Sequence, residues 1–188
     1  ALEQAQLGYE VLKDTLSNKD KSFVDLIYDI GFIYSALGDY SKAVEHYQTS
    51  LDLYKSIIGE YNNDVAQAYN NIAVEYRYLG LKTKELESLL KAKTIWEALD
   101  ENDNQRFLYS CYGNLFYWYS YYGDFDKAEE YILKKDKLRT IAKTTKNNLL
   151  LRNKEEIYED QLSNWYDLML HYSRKEDTLK TVYYTDAI

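Results

Sequence analysis

Apolar residues along the middle of the chain recur at the spacing of a helix. Ile27, Ile30, Gly31 and Tyr34 fall at i, i+3, i+4 and i+7, which puts them on one stripe of a 3.6-residue turn. The same offsets return at Tyr69, Ile72, Ala73 and Tyr76, and again at Tyr112, Leu115, Phe116 and Tyr119. A glycine follows each stripe, Gly38, Gly80 and Gly123, and glycine suits the left-handed backbone that closes a helix. A second stripe then opens: Tyr40, Ala43, Val44, Tyr47 and Leu51 in the first case, Leu86, Leu89, Leu90 and Ala92 in the second, Phe125, Ala128, Tyr131 and Ile132 in the third. The predicted unit is helix, tight turn, helix.

These units are copies. The stretch from Ile30 to Gly38 realigns with Ile72 to Gly80 after 42 residues and with Leu115 to Gly123 after a further 43, with an aromatic residue four places before each Gly. A fixed period of this length marks an array of stacked supersecondary units, because one helix pair cannot bury its stripes alone.

Gly31, Tyr34, Gly38, Tyr40, Ala43 and Tyr47, with Ser50 and Leu51 after them, resemble the tetratricopeptide repeat. The family's pattern is a small residue packed between helices, a Tyr three places later, a turn Gly, then Ala and a large residue four places on. The second copy keeps Ala73, Tyr76, Gly80, Leu89 and Ala92 but has Glu85 in a small-residue slot; the third keeps Tyr119, Gly123, Phe125 and Ala128 but puts Phe116 in the small slot, which predicts more widely spaced helices. The longer period, and the linker-like stretch 57–66, are similar to kinesin-light-chain repeats.

The resemblance implies an all-α fold, a right-handed superhelical array (α-solenoid) of about eight or nine helices in antiparallel pairs, filling one domain over 1–188. Residues 1–20 read as the second helix of a truncated repeat, 22–58, 64–99 and 105–145 as repeats, and 146–188 as a degenerate terminal repeat with Leu162, Trp165, Tyr166 and Met169 as its stripe. Residues 144–157 read equally as a helix extension or a connector.

Composition narrows the function. The absence of Pro and the small number of Gly, 7, favour long helices with short connections. With 23 Lys plus Arg against 31 Asp plus Glu the formal charge is −8, which argues against nucleic acid as a partner. No apolar run approaches the length of a membrane span, so no membrane insertion is expected. The first residue is Ala rather than Met, which suits an excised piece of a larger protein with flanking domains; the compartment stays open, with the cytoplasm as the default.

Reactive chemistry finds little footing. Cys111 has no second Cys and no His in a nucleophile–base arrangement, and reads as a small buried hydrophobe. His46 and His171 sit in no metal-ligand spacing. Residues 100–104 carry oxygen ligands but lack the calcium-loop pattern and read as an acidic loop. The basic stretch from Lys134 to Lys146 reads as a solvated outer face. The expectation is no catalytic residue, no metal and no cofactor.

What the resemblance supplies instead is a groove lined by the first helices. Its groove-facing positions correspond to Tyr28, Asp29 and Phe32 in the first unit, to Asn70, Asn71, Val74, Arg77 and Tyr78 in the second, to Asn114, Tyr117 and Tyr121 in the third, and to Asn164 in the fourth. Asn71, Asn114 and Asn164 share one slot, and an amide offers both donor and acceptor to the backbone of an extended peptide. The aromatic residues provide contact area at low entropic cost. The expected function is a non-catalytic protein-interaction module that binds a peptide or a partner helix. The alternatives are the regulatory or substrate-recruiting region of a larger bacterial enzyme or sensor, such as a caspase-like peptidase or a histidine kinase, and a peptide-pheromone receptor.

Overall fold

A computed structural model describes residues 20–99 and 101–144, together with Leu7. The expected helix in 1–20, the connector at 144–157 and the terminal repeat with Asn164 lie outside the described residues. Six helices and no strand are found among the described residues: α1 (Lys21–Ala36), α2 (Tyr40–Ile58), α3 (Asn63–Tyr78), α4 (Lys82–Ala98), α5 (Glu101–Tyr121) and α6 (Phe125–Thr144). They fall into two compact units that divide between Asn104 and Gln105.

In the first unit each helix packs on the next in sequence, and ring contacts give the directions. Tyr34 stacks on His46 at 5.3 Å, Tyr28 lies 5.0 Å from Tyr47, and the Tyr54 hydroxyl reaches Asp25 at 2.5 Å. Partners on α2 advance as those on α1 retreat, so the pair is antiparallel. Between α1 and α3 both sides advance together: Lys21 meets Asp64 at 3.1 Å, the Asn71 amide meets the Tyr28 hydroxyl at 2.6 Å, and the Ser35 hydroxyl meets Glu75 at 2.7 Å. These partners stand 40 to 43 residues apart, so the sequence period reappears as a parallel lateral spacing of first helices. Trp96, fully buried, closes the fourth helix back on the third through its indole N–H to the Asn63 side-chain oxygen at 2.8 Å.

The turns explain themselves from backbone accounting. Gly38 has φ 79°; the Asp39 N–H bonds the Tyr34 carbonyl and the Gly38 N–H bonds that of Ser35, which satisfies two carbonyls that the helix end would orphan. Asp39 then caps α2 by accepting from the Lys42 backbone N–H at 3.2 Å. The same bond pattern recurs at Gly80, with Leu81 in the place of the Asp, and Asp124 caps α6 after Gly123.

Most positions of the predicted stripes lie in the cores, while Tyr40, Val44, Tyr76, Leu86, Leu90 and Phe125 are only half-buried. Ile27, Ile30, Gly31 and Tyr34 are buried on α1, Ala43, Tyr47 and Leu51 on α2, Tyr69, Ile72 and Ala73 on α3, Leu89 and Ala92 on α4. Gly31 is small because the Tyr47 ring crosses it: a Cβ there would sit 2.9 Å from the ring's Cδ1. The corresponding pairs in the other copies are Ala73 with Leu89 and Phe116 with Ile132, all buried. Glu85, the other departure, is 2% exposed and accepts from Arg77 Nε at 2.7 Å, so a buried carboxylate is matched rather than stranded.

The second unit repeats the antiparallel pairing. Tyr119 stacks on Tyr131 at 5.5 Å, Tyr112 lies 5.9 Å from the same ring, and the Lys135 ammonium lies 4.8 Å from the Tyr109 ring centre. Cys111 is buried. Residues 101–104 are a correction to the sequence reading: they form the first turn of α5 and not a loop. Acidic residues favour that position because the helix dipole presents its positive end there. The basic stretch on α6 is also less free than expected, since Arg139 is 8% exposed and pairs with Asp136, and Lys134 pairs with Glu130 at 2.6 Å.

Candidate peptide-binding face

The parallel packing of α1 and α3 creates a seam with polar rungs. At one rung Asn71 Nδ2 donates to Tyr28 Oη; at another Ser35 Oγ donates to Glu75 Oε1. Between them comes the hydroxyl of Tyr47, delivered from α2 because its ring slides past the missing side chain of Gly31. Burial pushes the phenols of Tyr28 and Tyr47 well above their ordinary range, so both stay protonated donors; hydrogen bonding by Gln67 and Asn71 at Tyr28, and by Asn71 at Tyr47, opposes this only in part. Glu75 is 2% exposed and its carboxyl is raised by burial, against the opposing Ser35 bond. Asp29, at the exposed edge of the same face, is raised by partial burial and by the neighbouring Asp25.

Of the residues singled out from sequence in this unit, Tyr28 and Asn71 meet in the seam, Phe32 stands above it 61% exposed, and Asn70 and Val74 are half-buried on α3. Asn71 thus commits its donor end to a neighbouring helix and not wholly to a ligand. Tyr78 is exposed and stacks face to face on Tyr40 at 4.4 Å. Arg77 reaches Glu85 on α4. Glu75 and Tyr47 were not singled out from sequence as site residues. Glu75 follows Asn71 by one helical turn, and a carboxylate beside Ile72, Ala73 and Tyr76 was the available signal.

In the second unit Asn114 is half-buried, while Tyr117 and Tyr121 are exposed and stack on each other at 6.1 Å. Trp118 and Tyr122, 4.6 Å apart, extend this aromatic surface. Among the described residues no group of His, Cys, Asp or Glu could hold a metal ion, and no helix is long and apolar enough to cross a membrane.

Comparison with known proteins bears on the helix pairs of the first unit. The sequence model of the tetratricopeptide repeat matches over residues 24–98. Residues 24–98 are tetratricopeptide repeats. Such repeats generally serve as protein-interaction modules. No curated protein matches the chain. Among solved structures the chain is similar to BtubC (BKLC) from P. vanneervenii, at 21% identity and TM-score 0.79, covering 99% of this chain and 71% of that one. It is also similar to a Podosopora anserina protein described as a kinesin light chain with nearly identical TPR-like repeats, at 16% identity and TM-score 0.73, over 98% of this chain and 82% of that one. The apo form of RapI matches at 16% identity and TM-score 0.64, over 97% of this chain and 72% of that one. Likeness at these identities establishes the fold, a TPR-like solenoid of paired helices.

Proposed function

We propose that the chain is a non-catalytic interaction module that binds a peptide, in extended form, along the face lined by the first helices of its repeats. The observation that carries this reading is the combination of Phe32, 61% exposed on α1, with a line of fixed polar groups beside it on α1 and α3. A large aromatic left in water next to pre-positioned amide, hydroxyl and phenol groups suits a ligand that brings both a side chain and a backbone. Because the rungs are already bonded to one another, little ordering is left to do on association. The net charge of −8 favours basic or neutral segments.

A bead library of random nonapeptides, panned against the purified chain and followed by anisotropy on resynthesised hits, tests this. Phe32→Ala should weaken the retained peptides by about tenfold, the loss expected for a central aromatic anchor, while the melting temperature stays put because the ring is exposed. Retention of no peptide, or unchanged affinity in Phe32→Ala, would overturn the reading.

A further inference from the structure

Among the described residues, Glu75 is the one in the α1–α3 seam with a buried side-chain atom that lacks a hydrogen-bond partner. Oε1 accepts from Ser35 at 2.7 Å, but Oε2 is buried and has no hydrogen-bond partner. Buried polar atoms are almost always satisfied, and a buried carboxylate oxygen without a donor is among the costlier exceptions. Elsewhere in the first unit carboxylates are matched: Glu85 with Arg77, and Asp25 and Asp64 with Lys21 at 2.8 and 3.1 Å. Those bonds hold Lys21 and Arg77 to other carboxylates. The seam therefore combines Glu75 with Asp29 at its rim, both negative, beside the half-buried ring of Tyr28 and the buried hydroxyl of Tyr47.

We propose that this seam takes a lysine or arginine side chain of the bound segment, with Glu75 as its buried counter-charge and Asp29 guarding the entrance. The inference rests on the peptide-binding reading above and adds the chemistry of its ligand. A cation at the tip of a slim apolar stem can lie along the half-buried Tyr28 ring and direct its donors at Oε2, whereas an acidic side chain would meet two carboxylates. A bare metal ion fits poorly, since no group of three ligating side chains gathers here among the described residues. Aromatic walls favour a cation over a neutral donor of the same size.

The experiment sequences the nonapeptides retained by the unaltered chain, then resynthesises the best one with its basic residue changed to norleucine. Lysine or arginine should dominate one position, and norleucine there should weaken binding about tenfold, in line with loss of a charge-assisted bond. In Glu75→Gln the lysine and norleucine peptides should bind alike, and in Asp29→Asn, an exposed site that leaves the fold intact, the preference should fall by about threefold as for a rim charge. Peptides retained without a basic preference, or a preference that survives in both variants, would overturn this inference and leave peptide binding standing. Retention of no peptide at all would overturn both.

Discussion

Glu75 shows what a single residue can cost and what it can be kept for. Its folded-state carboxyl is raised by burial above the ordinary 4.5, so the folded protein holds the proton more tightly than the unfolded chain. The stability linked to that proton is fully present below pH 4.5 and is lost as pH rises through the higher folded value. The groups that act on it from adjoining helices are the Ser35 hydroxyl and the Tyr47 phenol, and neither ionises in that interval. Glu75→Gln is accordingly expected to raise stability by about 1 kcal/mol at pH 7, through removal of a poorly solvated charge, with the gain vanishing by pH 4. Urea melts of both proteins at the two pH values check this; a loss of stability at pH 7 would show that the carboxylate is better satisfied than its geometry indicates. The variant that folds more tightly is also the one expected to lose its preference for a basic side chain.

At the scale of elements, the helices were legible because their apolar offsets repeat three times and each run ends at a glycine. Gly38, Gly80 and Gly123 all adopt φ between 70° and 84°, as a helix-closing glycine should. The first turn of α5 was not legible, since Asp, Glu and Asn are common both in loops and at helix starts. The reason for the small residue at Gly31 was also hidden, since the Tyr47 ring that crosses it comes from the next helix. This leads to a paired prediction. Gly31→Ala should cost about 2 kcal/mol by overpacking against the Tyr47 ring. Adding Tyr47→Leu should recover much of it, because removing the ring vacates the space that the new Cβ needs; Ala73 and Leu89 hold the equivalent positions of the next copy, both buried. Denaturant titrations arranged as a double-mutant cycle measure the coupling; additive losses would show that the two positions do not share the space.

For the molecule as a whole, charge is the property that acts at a distance. A chain of formal charge −8 should attract a basic segment before contact, so association of a lysine-bearing peptide is expected to slow by about tenfold between 0.05 and 0.5 M salt while dissociation changes little. Stopped-flow traces at the two ionic strengths decide it, and a salt-independent association rate would remove electrostatics from recognition.

The sequence by itself determined the repeating unit, its period, the buried stripes and the turn glycines, because each of these follows from spacing along one helix and from backbone conformations that few residues tolerate. Only tertiary structure decided which polar groups meet. Asn71 finds Tyr28, Ser35 finds Glu75, and Arg77 finds Glu85, and the first two of these pairs depend on how far one repeat is shifted against the next. A periodic pattern fixes which face a residue occupies, but the partner across the gap is set by packing between helices distant in sequence. That is why the seam's acidic centre emerged only once α1 and α3 lay side by side.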